Sequence, residues 1–427
     1  MKALHELTAT EARALLGQGK ISAEQLVRAT LEYINEREPE IEAWVCLRPD
    51  LAIQQAKELD RQGSQGLLHG IPFGAKDIFD TRDFPTTFGS PIYAHNQPAI
   101  DAVHIALMKA AGGVLLGKTV TAEFATFKGG KTHNPQRHNH TPGGSSSGSA
   151  AAVGAHMVTL ATGSQTAASV IRPASFCGVI GFKPTFGKIS LGGVKSLSPS
   201  LDTLGCFTRS VGDAALGVAA MSGDHALAEI APLKKKPRIA STLTYDAKQA
   251  SADALAAVNH TALLAEDVWQ KDVPQIDLPK IFSDMSEIQG RIMWSESARS
   301  FTFERENYPE QLSQQLRGLI KQGAQISYAQ YSADLLRAEE ARHVMQALLT
   351  DNYDVLISPA AVGEAPQGLT LTGDPIFSRV WTLMGLPSIT LPLFQGSTGL
   401  PVGVQLVAAR GRDAYLLSVA DALMKAR

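Results

Sequence analysis

Gly143-Gly144-Ser145-Ser146-Ser147-Gly148-Ser149-Ala150-Ala151-Ala152, running on to Val158-Thr159-Leu160-Ala161, is the stretch on which the fold turns. Hydroxyls and glycines stand directly before a small-residue helix over 150–157 and a strand-like run over 158–161, the texture of a loop held inside an α/β sheet. A flexible surface linker would not be flanked by Pro142 and followed by apolar helix and strand. A phosphate cradle is the other reading of such a loop, but no Lys-Ser/Thr follows the glycines as a P-loop requires.

The same texture of short apolar runs and small residues begins near residue 66. Asp101 can cap a helix that runs to Ala111, Gly112-Gly113 can end it, and Val114-Leu115-Leu116 reads as a buried strand. Residues 1–60 read as helical: Thr8-Ala9-Thr10-Glu11 and Ser22-Ala23-Glu24-Gln25 are capping boxes, and Val27, Leu31 and Ile34 form one apolar stripe. Residues 231–350 are more polar, with amphipathic stretches such as Tyr328 to Leu349. Strand texture returns at 354–358, 388–393 and 402–408. The expectation is one α/β domain over 1–427, in which 1–60 is an N-terminal helical segment and 61–230 the catalytic core. Residues 231–350 are then a helical insertion that walls the substrate, and 351–427 complete the sheet.

Composition narrows the function. The chain has 427 residues, 44% hydrophobic and 19% charged, which is ordinary globular chemistry. With 39 Lys and Arg against 41 Asp and Glu there is no basic field to recruit nucleic acid or a membrane, so a small-molecule partner is expected. The run Lys234-Lys235-Lys236 reads as a solvated loop. Cys46, Cys177 and Cys206 form no pair with metal-ligand or disulfide spacing. The start Met1-Lys2-Ala3-Leu4 lacks the pattern of a signal peptide, and no run of about 18 uncharged apolar residues follows, so a cytoplasmic location is expected.

Among 11 histidines and many serines no Gly-x-Ser-x-Gly elbow occurs, so a different base is needed for any hydrolase reading. Lys76 follows the strand-like start Gly70-Ile71-Pro72-Phe73-Gly74-Ala75, and a desolvated lysine can act as a base near neutral pH. By composition alone a single lysine is usually just solvated. The segments Gly70 to Asp80, Pro142 to Val153 and Gly163 to Thr185 resemble, in order, the successive signatures of the amidase signature family. Leu201-Asp202-Thr203 and Leu383-Met384-Gly385-Leu386-Pro387 extend the similarity, and the third segment resembles the bacterial malonamidase variant.

That resemblance implies a single large mixed β-sheet flanked by helices, and a Ser-Ser-Lys amidohydrolase that needs neither metal nor organic cofactor. Lys76 corresponds to the terminal base, Ser145 to a bridging serine after a cis peptide bond, and Ser169 to the nucleophile, 24 residues further on. The backbone around Thr166, Ala167 and Ala168 corresponds to the oxyanion site. Here the chain departs from its family, which has two glycines before the nucleophile; Ala167 and Ala168 restrict positive φ and crowd a close-approaching substrate. Gln165 stands where the family often has Asp. Arg172 corresponds to a residue that holds a substrate carboxylate, and a structural ion pair is its other reading. The resemblance thus implies cleavage of a small, carboxylate-bearing amide, with a homodimer allowed for. Two alternatives remain: the amidase subunit of a tRNA-dependent amidotransferase, and a non-catalytic amidase-like binding protein.

Overall fold

The computed structural model describes residues 2–63 and 66–427. Its strands are β1 (Trp44–Leu47), β2 (Pro72–Lys76), β3 (Val114–Thr119), β4 (Leu160–Gln165), β5 (Ile180–Lys183), β6 (Thr203–Thr208), β7 (Ile239–Ser241), β8 (Val355–Pro359), β9 (Ser388–Gln395) and β10 (Pro401–Ala408). They form one ten-stranded sheet in the order β1-β3-β2-β4-β6-β5-β9-β10-β8-β7. Pairing is parallel for β2 with β3, β2 with β4 and β7 with β8, and antiparallel elsewhere, so the sheet is mixed. Helices lie along it, giving the α/β architecture expected. Strands β2, β3 and β4 are buried along their whole length, which is why they read as continuous runs without alternation.

Both N-terminal capping boxes form, Thr8 with Glu11 and Ser22 with Gln25. Val27, Leu31 and Ile34 are buried. The N-terminal segment also supplies strand β1, which pairs with β3 at the sheet edge and which the helical reading of 1–60 missed. The polar stretch 231–350 likewise supplies the opposite edge strand, β7. Each is only three or four residues long, too short for periodicity to reveal. Asp101 does not cap the helix Val103–Ala110; it accepts from Arg82 N–H at 2.8 Å and Lys109 Nζ at 2.9 Å.

Close packing accounts for the small residues of the helix Ser147–Gly154. A Cβ on Gly148 would come within 2.2 Å of Ala43 O and 2.4 Å of Val120 N, so only glycine lets the helix press onto the end of β3. Ser149 Oγ donates to Thr162 O at 2.8 Å and shares a 2.6 Å hydrogen bond with Thr119, tying the helix to β4 and β3.

Candidate active site

Parallel pairing brings the C-terminal ends of β2, β3 and β4 to one edge of the sheet, where ligands of α/β proteins gather. Lys76 ends β2. Gln165 ends β4 and leads into 166–169. Strand β6 runs antiparallel to β4 with Thr203 opposite Gln165, so its start delivers Asp202 to the same place.

Lys76 is fully buried, and its Nζ hydrogen-bonds Ser145 Oγ and Ser164 Oγ, both at 2.8 Å. Burial lowers its pKa from 10.5 to about 7, opposed by the charge of Asp202. The Gly144-Ser145 peptide is cis, and Ser145 O accepts from Ala122 N–H at 2.9 Å. The preceding turn needs glycine: Gly143 has φ of 80°, and a Cβ there would lie 2.8 Å from Pro173 Cα. Ser169 is nearly buried, with 8% of its surface exposed, and lines a small cavity. Lys76 and Ser145 are thus hydrogen-bonded, whereas among the described residues Ser145 and Ser169 are not bonded to each other. Catalytic hydrogen bonds are often loose before substrate arrives.

Ala125, Thr126, Phe127, Leu197, Met293 and Pro375 line the cavity together with Thr166, Ala167, Ala168, Ser169 and Arg172. Room at its centre amounts to about 10 Å³, on the scale of one water-sized sphere. The loop is turned by its carbonyls. Thr166 O accepts from Gln289 Nε2 at 2.9 Å, Ala167 O from Thr382 Oγ1 at 2.8 Å, and Ala168 O from Arg172 N–H at 2.9 Å. In a trans peptide N–H and C=O point opposite ways, so these bonds direct the Ala167, Ala168 and Ser169 N–H groups away from those partners. Among the described residues none of the three N–H groups has an acceptor. Neither alanine is among the non-glycine residues with positive φ, so the double alanine brings no backbone strain; its consequence is two methyl groups in the lining.

Gln165 has a defined role: its Oε1 accepts from Val170 and Ile171 N–H, both at 3.0 Å, and its Nε2 donates to Thr382 Oγ1 at 3.0 Å. Asp202 has no role assignable from sequence, although its segment carries part of the family resemblance. It accepts from Thr166 Oγ1 at 2.5 Å, Ser196 Oγ at 2.7 Å, Leu197 N–H at 2.9 Å and Ser198 N–H at 3.1 Å, and burial pushes its carboxyl pKa up. Ser164 stands inside the third signature segment but was given no role there; Gln289 and Thr382 were also missed, and nothing local in the sequence marks those two.

Arg172 is 1% exposed. Its Nη2 donates to Gly144 O at 2.6 Å and Thr372 Oγ1 at 3.0 Å, while Nε and Nη1 are buried without a partner. Among the described residues no ion pair joins it to a carboxylate, so the structural ion pair is not formed. Burial draws its pKa from 12.5 down to about 9, with Asp374 opposing, and it stays charged at neutral pH.

The Amidase family model matches residues 25–417. The chain belongs to the amidase family. It is an enzyme that acts on amide C–N bonds. One similar protein is a glutamyl-tRNA(Gln) amidotransferase subunit of Halothermothrix orenii, 31% identical, with 99% of this chain and 98% of that one covered. Among solved structures, one from a vestigial protein complex bearing on the origins of an s-triazine catabolic enzyme has a TM-score of 0.89 at 27% identity, covering 98% of both chains. The peptide amidase of Stenotrophomonas maltophilia has a TM-score of 0.82 at 26% identity, covering 98% of this chain and 96% of its own. None of these singles out malonamidase. Among the described residues no helix is long and apolar enough to cross a membrane.

Proposed function

We propose that this amidase hydrolyses a small, carboxylate-bearing amide through an acyl-enzyme on Ser169. The observation that carries the substrate class is Arg172, a buried cation with two unpartnered nitrogens in the lining of the cavity that Ser169 also lines. A buried charge without a counter-ion costs several kcal/mol, and a substrate carboxylate removes that cost while its fork geometry orients the amide.

Neutral Lys76 takes the Ser145 proton as Ser145 takes that of Ser169, and the Ser169 oxygen attacks the amide carbon. The N–H groups of Ala167, Ala168 and Ser169 hold the oxyanion; one such donor is typically worth about 3 kcal/mol. The proton returns along the relay to the leaving nitrogen, the C–N bond breaks, and ammonia or an amine departs. Water gives a proton to the same relay, attacks the ester and releases the acid with Ser169 restored. No step calls on a metal or organic cofactor.

A second reading uses the same chemistry with a different destination: the amidase subunit of a tRNA-dependent amidotransferase, which passes its ammonia to another active site. The similar amidotransferase subunits, matched over almost their whole length, support this reading more directly than the stand-alone one, and with it protein partners. Ammonia release from malonamate, simple aliphatic amides and glutamine, without partner or ATP, separates the two. The stand-alone reading expects turnover of the carboxylated amides, a dead Ser169→Ala and a raised KM in Arg172→Ala. Glutamine turnover that appears only with partner subunits present decides for the amidotransferase. Failure of a serine-reactive probe to label Ser169 removes both.

A further inference from the structure

Lys195 Nζ lies over four aromatic rings, 5.3 Å from the centroid of Tyr93, 5.7 Å from those of Phe88 and Phe124, and 5.9 Å from that of Phe301. Its ion-pair partner Glu304 is fully buried at 2.6 Å, and Glu304 Oε1 also accepts from Tyr93 Oη at 2.5 Å. A loop lysine ordinarily keeps its ammonium in water. This one instead gathers three other segments of the chain around its charge, through attraction to ring faces and to a desolvated carboxylate.

Two of those segments, together with the Lys195 segment itself, wall the cavity. Phe124 and the lining residue Ala125 both have positive φ, 46° and 61°, and Phe124 N–H donates to Phe88 O at 2.8 Å. Leu197, two residues after Lys195, lines the cavity, and its N–H grips Asp202, which in turn holds Thr166. Phe301 and Glu304 continue from the helix Met285–Ser300, which brings Met293 to the lining. Glu296 of that helix accepts from Ser198 Oγ at 2.5 Å and Ser200 N–H at 3.1 Å, a second tie between the same two segments.

We propose that Lys195, through its aromatic cage and Glu304, is a positioning residue that fixes the Ala125, Leu197 and Met293 wall and so sets the size of acyl group accepted at Ser169. This rests on Ser169 being the nucleophile. Without the ammonium, the rings still pack on one another and Tyr93 still meets Glu304, but the Lys195 segment loses its hold on them and is left with the Glu296 tie, which loosens the wall.

The full-length wild type is compared with Lys195→Met/Glu304→Gln, which removes both charges without burying an unpaired carboxylate, and with the gentler Tyr93→Phe. Two series are measured: kcat and KM for half-amides of dicarboxylic acids from malonamate upward, and rates of Ser169 labelling by short- and long-chain alkyl fluorophosphonates. The long-to-short ratio is expected to rise about tenfold in the double variant, the low end of what one methylene is worth in an apolar pocket. Tyr93→Phe should move it less, in the same direction. An unchanged ratio with only a lowered melting temperature overturns the proposal and leaves Lys195 a structural residue, and if the double variant does not fold, an unchanged ratio in Tyr93→Phe does so. If wild type labels at Ser169 but hydrolyses none of the half-amides, the substrate reading fails and the labelling ratio alone decides. If Ser169 does not label, both fail.

Discussion

Burial leaves Lys76 poised between its ammonium and amine forms near neutral pH, far from solvent and with two hydroxyls within hydrogen-bonding distance of its Nζ. With its pKa at about 7, the base form gains population as pH rises, so kcat/KM should climb through pH 7 and then level off. Lys76→Ala should remove that acid limb and lower kcat by about 10²–10⁴-fold, the usual worth of general base catalysis. A pH–rate profile of both proteins checks this, and a limb that persists in the variant assigns it to another group. At the facing wall, Ala167→Gly/Ala168→Gly takes two methyl groups out of the lining without any φ to relieve. Its expected effect is faster turnover of longer acyl chains at little cost to the shortest, read as kcat/KM along a chain-length series. These residues were legible in the sequence because their motifs are contiguous. Arg172 was legible only as an alternative, since whether an arginine meets a carboxylate across the chain is a tertiary fact.

At the level of elements, the 166–169 loop depends on what arrives from elsewhere. The beginning of β6 brings Asp202 beneath Thr166, and the loop 196–198 donates to the same carboxylate. Asp202→Asn would turn an N–H₂ toward one of these donors and cost about 1–3 kcal/mol. It would also remove the charge that props up the Lys76 pKa, so the acid limb of the pH profile should move below 7 while kcat falls. A variant with lower kcat and an unmoved limb would show that Asp202 acts on the loop alone. Gly143→Ala tests the other loop. Its new Cβ would meet the Pro173 backbone at a φ of 80°, and a melting temperature lowered by the equivalent of about 1–3 kcal/mol is expected. Strands β2 and β3 were foreseen from their apolar runs and β4 only through Leu160 and Ala161, whereas β1 and β7 were not, because a three- or four-residue edge strand takes its conformation from the ladder it joins.

Across the whole molecule, fully buried lysines couple folding to pH: Lys76, Lys183 and Lys118, the last also lowered by burial but opposed by its ion-pair partner Asp77. Lys183 donates to Pro184 O at 3.1 Å and Leu386 O at 2.5 Å, joining β5 to the turn before β9, and like Lys76 its pKa is drawn to about 7 by burial. The unfolded chain protonates both below about 10.5, the folded one only below about 7, so their burial penalty is full below pH 7 and fades as pH rises. Melting temperature should therefore increase from pH 7 toward 9, with a shallower slope in Lys183→Met. Above that range the buried Cys177 and Cys206 thiols, whose pKa burial pushes up from 9.0, oppose the trend as the unfolded chain ionises. The α/β class, most of the core strands and the contiguous signatures that hold Lys76, Ser145 and Ser169 could be read along the chain, because periodicity and local motifs are properties of neighbouring residues. Which groups face them is settled by packing across the chain. Asp202, Gln289, Thr382 and the Lys195 cage reach the site from distant parts of the chain, and the cavity exists only where a ten-stranded mixed sheet brings those parts within hydrogen-bonding range.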